Sequence, residues 1–551
     1  MAWNKKNVCC MALVTAFCVI TAQHLQAQTK YWVKFKDKTG SPYSISNPSA
    51  FLSAKSIARR ASQGISVDMT DIPVNQTYIN QVNATGAVVF QRSKWFNAAI
   101  VIVSNGTQLA AINSLNCVAS PASPVSRYHR SGTPDEVLQS SPATDRRIAA
   151  PASGYNYGPS ISQVSQIQAD CMHNKGYRGQ NMVIAVIDDG FDNVNNNPVF
   201  DSLRNEGRIL GTRDIVAGNT SVYEDDAHGA MVLSCMAGNS PGNLIGTAPK
   251  ASYYLLRSED VFSEKIIEEN NWVVAAELAD SLGADIITTS LGYTTFDNAS
   301  QNHSYADLNG RTSVASIAST MAARKGIFLL NAAGNEGNSA WQYIGVPADA
   351  DSILTVGSVN SSGIHSGFSS IGPTADGRIK PDVCTMGEGT YVCQPNGMFT
   401  AGNGTSFACP VMAGAVACLW QANPGKTNME VLTAIRMSSS KNGNMDNNYG
   451  WGIPDMCLAN SILTNNVSVK EQMRETMQLF PNPAQNQVTL KLNETPQRVV
   501  LSDVLGKPVS FRYVANGGEY IVLLAPEMAP GIYLISVYTS QGMHQARLVK
   551  E

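Results

Sequence analysis

Ser406 stands in the stretch GNGTSFACP, residues 402–410, ahead of the apolar, small-residue run PVMAGAVACLWQA. A proline is tolerated in a helix in its first turn, where no N–H is required of it. Pro410 therefore predicts a helix beginning at Ser406 or one step after it. Free N–H groups and the positive end of the helix dipole gather there, which suits a developing negative charge. The same place suits a serine that merely caps the helix. A nucleophilic serine needs a base and a group that orients the base. His228 opens the helical run HGAMVLSCMAG just after Asp225 and Asp226, and Asp188 and Asp189 close the buried strand MVIAVIDDG. Successive strand residues face opposite ways, so one of the two acids can point to a site beyond the strand end. Asn335 closes another such run, GIFLLNAAGNEG, where its amide can donate to an oxyanion. Each residue alone has a plain reading: a solvated helix-start histidine, a turn-capping acid, a cap serine. Together, in the order Asp, His, Asn, Ser, they describe an acyl-transfer site.

The elements that must hold these residues lie in residues 157–465. MVIAVID, ASYYLLR, ADIITTSL, GIFLLNAAG and SILTVGSV are near-continuous apolar or β-branched runs, as expected of strands buried on both faces. Helical patterns fall between them, in HGAMVLSCMAG, around Glu268 to Leu282 and from Thr312 to Lys325. The fold class is α/β, a parallel sheet in a three-layer domain whose ligand site lies beyond the carboxyl ends of the strands. Residues 28–118 read as a small α+β domain in the ferredoxin-like order βαββαβ, with residues 39–72 as an insertion carrying a further helix, SAKSIARRASQ. Residues 119–156 are rich in Pro, Ser, Ala and Thr and read as a linker, with Arg146 and Arg147 as a candidate processing pair. A second linker spans 466–478. Residues 479–551 hold short β-rich segments divided by Pro, Gly and Asn, the pattern of a small β-sandwich.

Of the 551 residues, 44% are hydrophobic and 15% charged, against roughly 25% charged in typical soluble proteins. Lys plus Arg is 39 and Asp plus Glu 42, a net charge of −3 without long runs of either sign, which disfavours nucleic acid and anionic membranes as partners. The two lysines of MAWNKKN and the uncharged residues 8–22 read as a signal peptide, residues 1–27. Eight of the 11 cysteines remain after it, in an export context where disulfides persist. Cys384 and Cys393 flank a short glycine-containing segment and are the expected disulfide. Cys235, Cys409 and Cys418, on apolar helical faces, are expected as buried thiols. No cysteine or histidine spacing suggests zinc.

The quoted motifs resemble those of the subtilisin-like serine proteases: VIDDG for the aspartate, HGAMV for the histidine, AAGNEG for the asparagine and GTSFACP for the serine. The chain order Asp, His, Ser is that of subtilisin. The resemblance implies that Asp188 rather than Asp189 orients the imidazole, that His228 is the general base, that Ser406 attacks, and that Asn335 holds the oxyanion. It also implies that Ser290, Leu291 and Gly292 pair with the substrate backbone as an added strand, with Gly334 beside the substrate. No cofactor is implied for catalysis. Three departures stand out. Met412 replaces a histidine of the serine helix, Tyr293 follows SLG where a small residue is common, and a calcium loop is only partly present in Asn239, Ser240 and Asn243. By the same resemblance the N-terminal domain is an inhibitory propeptide. The C-terminal domain, with LFPNPA, SDVLGK, PGIYLI and ARLVK, resembles the sorting domain of type IX secretion cargo. The expected protein is a monomeric, secreted or surface serine endopeptidase acting on proteins and peptides, with the secretion machinery as its other partner. The rival readings are an inactive binding protein on the same scaffold and an esterase. Glu336, beside the asparagine, either favours a basic substrate residue or faces solvent.

Overall fold

The computed structural model describes residues 29–127, 154–464 and 477–551, with short gaps at 493–494, 497, 504–508, 517–518, 527 and 540–541. The signal peptide, the Arg146–Arg147 pair and most of the second linker lie outside the described residues.

The N-terminal unit contains β1 (Thr29–Lys34), α1 (Ala54–Ser62), α2 (Gln76–Ala84), β2 (Val88–Ser93), β3 (Ala98–Val103), α3 (Gly106–Asn113) and β4 (Ser123–Arg127). Its sheet is antiparallel in the order β2-β3-β1-β4, the ferredoxin-like arrangement. Val33, Ile79, Val82, Val101 and Ile112 form the core between sheet and helices. The fourth strand, the last β of the expected βαββαβ order, runs into the segment 119–156 read as a linker. Pro124 is tolerated there because β4 is an edge strand, paired on one side only, with β1.

The central unit runs through α4 (Ile161–Gln166), α5 (Ala169–Asn174), β5 (Val183–Asp188), α6 (Asp201–Asn205), β6 (Ile209–Asp214) and α7 (His228–Ala237). A small hairpin, β7 (Asn239–Ser240) with β8 (Leu244–Ile245), precedes β9 (Ser252–Arg257), α8 (Ile267–Leu282), β10 (Ile286–Thr289), α9 (Val314–Arg324), β11 (Phe328–Ala332), β12 (Leu354–Val359) and β13 (Val383–Met386). A second hairpin, β14 (Glu388–Cys393) with β15 (Phe399–Asn403), leads into α10 (Thr405–Ala422), α11 (Asn428–Ser438) and α12 (Met456–Thr464).

Seven parallel strands form the sheet in the order β13-β12-β11-β10-β5-β9-β6. Alternate residues of β5 enter the cores on its two faces. Ile184 and Val186 meet α7 and α10, while Val183, Ala185 and Ile187 meet α8 and α9. From β5 the chain first builds toward β6 and then, from β10 on, away from it. The switch point between β5 and β10 is where such sheets bind ligands. Helix α10 is apolar enough over 18 residues to cross a membrane by composition, and that apolarity is spent inside the protein, where 89% of it is buried.

The expected disulfide is corrected. Cys171 on α5 is bonded to Cys457 on α12, whose Cα atoms lie 6.0 Å apart, while Cys384 and Cys393 are free and buried. The segment between these two does not fold back on itself but leaves the main sheet for the β14–β15 hairpin. Cys384 Sγ approaches the Asn448 carbonyl and Cys393 Sγ approaches Asn197. Cys235, Cys409 and Cys418 are buried thiols, as expected.

The C-terminal unit has seven strands, β16 (Met477–Phe480), β17 (Gln487–Leu492), β18 (Arg498–Asp503), β19 (Phe511–Asn516), β20 (Glu519–Leu524), β21 (Gly531–Thr539) and β22 (Gly542–Lys550). They form sheets β16-β17-β20-β19 and β18-β21-β22 around Val488, Leu490, Leu501, Val522, Ile535 and Leu548.

The N-terminal unit docks on α8 of the central unit through buried charge. Asp280 accepts from Arg59, Arg60 (3.0 Å) and Lys94 (3.1 Å), and Asp71 joins Arg60 to Lys325, both at 2.8 Å. Burial pushes the Asp280 carboxyl up, but Lys94, Arg59 and Arg60 outweigh it and hold the group well below the usual range. One turn earlier, Glu277 accepts the backbone N–H of Lys94 (2.7 Å) and of Trp95 (3.1 Å) at the tip of the β2–β3 hairpin, and burial pushes its carboxyl up to about 7. A buried ion cluster is costly to break because the survivors stay buried.

Two outcomes follow. Asp280→Ala should weaken docking by about 3–5 kcal/mol, read as a fall in melting temperature and as earlier proteolysis of residues 29–127. Peptide mapping without reductant should recover the Cys171–Cys457 cross-link and leave Cys384 and Cys393 open to alkylation after unfolding; a cross-link between the latter pair would contradict the fold.

Candidate active site

Asp188 is the last residue of β5 and fully buried, and His228 is the first of α7. His228 Nδ1 lies 2.7 Å from Asp188 Oδ1, whereas Asp189 Oδ2 comes no closer than 3.9 Å. Of the two acids, Asp188 is the one within hydrogen-bond distance of the imidazole. The Asp189 N–H donates to Asp188 Oδ1 at 3.1 Å, and the His228 N–H donates to Asp226 at 2.8 Å, which fixes the start of α7. The approach of α7 to β5 depends on Gly229. A Cβ there would lie 2.2 Å from the Gly190 carbonyl and 3.0 Å from Asp188 Cβ.

Ser406 is the second residue of α10 and 9% exposed. Phe407, its neighbour, packs beside the His228 imidazole with ring centroids 6.0 Å apart. Pro410 is the sixth residue of α10, not in the first turn as the sequence suggested. A helical residue at 410 would give its N–H to the Ser406 carbonyl. Proline cannot, and Ser290 Oγ donates to that carbonyl instead, at 2.9 Å. The missing helix bond is thereby replaced by a bond from the end of β10, which is why proline is accommodated in the second turn.

Asn335 stands three residues beyond β11. Its Oδ1 accepts from the Thr405 N–H (2.9 Å) and from Thr405 Oγ1 (3.1 Å), which turns Nδ2 away from Thr405. A Cβ built on Gly404 would be 3.8 Å from Asn335 Nδ2 and 3.6 Å from the Ser406 nitrogen, so both nitrogens border one space. Gly334 has φ +109°, a conformation that favours glycine, and a Cβ there would lie 2.9 Å from Ser370 Oγ. Ser370 Oγ accepts the Glu336 N–H at 2.9 Å. Thr405 and Ser370 were not singled out from sequence. The only signal for Thr405 was its place beside Ser406.

Ser290, Leu291 and Gly292 continue β10 beyond the sheet. The Leu291 carbonyl accepts from Asn331 Nδ2 at 3.1 Å. Gly292 is exposed, has open space where a side chain would be, and makes no backbone hydrogen bond among the described residues. Such an edge can accept an added strand. Tyr293 does not obstruct it: the ring is 1% exposed, its backbone pairs with Val346, and its hydroxyl donates to Glu259 at 2.8 Å. Met412 is buried within α10. Cys409 packs against Thr288, and burial pushes its thiol up to about 12, which leaves it unreactive.

The partial calcium loop folds as the β7–β8 hairpin. Asn243 Nδ2 donates to Ser240 Oγ at 3.2 Å, and residues 239–243 include no carboxylate. Calcium takes six or more oxygens. These residues do not fit it.

Each of the three units has counterparts among known proteins. Residues 179–452 match the model of the subtilase family, residues 30–138 that of a peptidase S8 propeptide domain of Bacteroidota, and residues 478–551 that of a secretion system C-terminal sorting domain. Subtilisin NAT from Bacillus subtilis subsp. natto is 32% identical over 304 residues, covering 54% of this chain and 71% of the relative. Subtilisin from Bacillus pumilus is 31% identical over 294 residues, covering 53% and 94%. Among solved structures, a prenylagaramide maturation protease covers 54% of this chain and 98% of its own at 22% identity and a TM-score of 0.42. The sorting domain directs the protein across the outer membrane, to the cell surface or the extracellular space. With its propeptide, α/β catalytic domain and secretion tail, the chain belongs to the subtilase family of serine endopeptidases.

Proposed function

We propose that this secreted protease cleaves peptide bonds by a Ser-His-Asp triad through an acyl-enzyme. The observation that carries the reading is the 2.7 Å contact between His228 Nδ1 and fully buried Asp188, at the same sheet edge as the start of α10. Ser406 Oγ attacks the scissile carbonyl and His228 accepts its proton, then returns it to the leaving amine. Asp188 holds the imidazole in the tautomer that leaves Nε2 free to act as base and stabilises the imidazolium. Asn335 Nδ2 and the Ser406 N–H receive the oxyanion in the space they both border. Water then repeats the sequence on the acyl-enzyme. The free backbone of Gly292 supports a peptide rather than a simple ester as substrate, since an ester lacks a strand to add.

With the full chain, wild type should digest an unfolded protein and take a fluorophosphonate label on Ser406, and Ser406→Ala should do neither. Equal digestion by the variant would overturn the triad. Digestion by neither protein would favour the inactive scaffold, and ester turnover without peptide turnover the esterase. Separately, Asn335→Ala should lower kcat by about 10²–10³-fold, the magnitude known for this donor in subtilisins, with KM little changed. A change confined to KM would show that Asn335 binds the ground state only.

A further inference from the structure

Next to the Leu291–Gly292 edge lies a cavity of about 380 Å³ between the carboxyl ends of β5, β9 and β10 and the loop before α8. Six carboxylates line it: Asp189, Glu259, Asp260, Glu264, Glu268 and Asp297. They are not equally available. Glu268 spends its oxygens on the backbone N–H groups of Asp260 (2.9 Å) and Lys265 (2.8 Å) and so shapes the loop. Glu259 is 8% exposed; Oε1 accepts the hydroxyls of Tyr293 and Ser258, while Oε2 makes no hydrogen bond among the described residues and keeps contact with solvent. Asp189 is partly buried against the same wall, its side chain 18% exposed, and its Oδ1 is a buried oxygen with no hydrogen-bond partner among the described residues.

A purely structural acid would have its buried oxygen satisfied, because an unmet buried polar group is costly, and Asp189 Oδ1 is not. No lysine or arginine side chain pairs with the Asp189 or Glu259 carboxylate among the described residues. Arg257 is committed to Asp214 (2.9 Å) and Asp225 (2.7 Å), and Lys265 lies 3.9 Å from Asp297. Burial pushes Glu259 up to about 7 and raises Glu268 as well, as expected of carboxylates short of counter-charge. The acids do not converge on a point. Among the described residues, the one group of three or more whose ligand atoms lie within 4.8 Å of one another is Asp188, Asp189 and His228. The cavity therefore suits an extended cation with several donors rather than a metal ion, and a guanidinium or ammonium on a flexible stem has that form.

We propose that this cavity is a specificity pocket that takes the arginine or lysine side chain of a substrate residue on the acyl side of the scissile bond. The inference rests on the reading above, in which the substrate strand lies along residues 290–292 and so passes the mouth of the cavity. Glu259 and Asp189 meet the cation inside, and Asp260 and Asp297 draw it to the rim.

The test uses enzyme matured from the full chain and matched fluorogenic peptides that vary one acyl-side position at a time among Arg, Lys, Gln, Ala and Glu. At one position Arg or Lys should raise kcat/KM over Gln by at least about tenfold, and Glu259→Gln and Asp260→Asn should each cut that ratio severalfold. Fluorophosphonate labelling of Ser406 reports whether each variant keeps a folded site. Ratios near one at every position, or a ratio untouched in both labelled variants, would overturn the pocket and leave the protease reading standing. Absence of cleavage and labelling in wild type would sink that reading and the pocket with it.

Discussion

The carbonyl of Ser406 is the point on which the arrangement turns. Pro410 has no N–H to give it, and Ser290 Oγ supplies the donor from the end of β10. A helix bond is thus exchanged for a tertiary one, and the start of α10 is fastened to the strand end that becomes the free edge at Leu291 and Gly292. Thr405, one residue earlier, fastens the same helix start to Asn335. Through two adjacent residues, the backbone of α10 fixes both the edge and the amide relative to Ser406. The remaining half of the site arrives by steric permission, since Gly229 lets α7 bring His228 onto Asp188.

The parallel sheet makes this economical. All seven strands point the same way, so Asp188, residues 290–292 and residues 334–335 emerge at one edge without long connections. The alternation of β5 between the two cores then leaves Asp188 and Asp189 facing different surroundings, one bonded to the imidazole and one lining the acidic cavity. Adjacent carboxylates are separated in role by the pleat of a strand.

Much of this was legible in the sequence for a physical reason. Strands buried on both faces are apolar throughout, so polar residues at their ends stand out, and Asp188, Asn335 and Ser290 are all of that kind. What failed depended on partners distant in the chain. Pro410 was placed by a rule about missing N–H groups that does not foresee Ser290 supplying a substitute. Cys384 and Cys393 are near in sequence, yet β13 and β14 belong to different sheets, and the actual pair spans 286 residues. Thr405 and Ser370 orient the amide region through bonds that no spacing announces. Glu259, Glu264 and Glu268 were not singled out from sequence, and only the folding of the loop after β9 and the first turn of α8 brings them beside Asp189.

The ion cluster around Asp280 bears on time as much as on stability. Arg59, Arg60 and Lys94 all precede residue 128, and their counter-ion Asp280 and the companion Glu277 both follow residue 153. A cut anywhere in residues 128–153 would break none of these contacts. It would remove only the covalent connection between the two units, and such a connection makes their association intramolecular. From that moment occupancy of α8 becomes a matter of mass action, and dilution into the surroundings, rather than scission, sets when the surface is vacated.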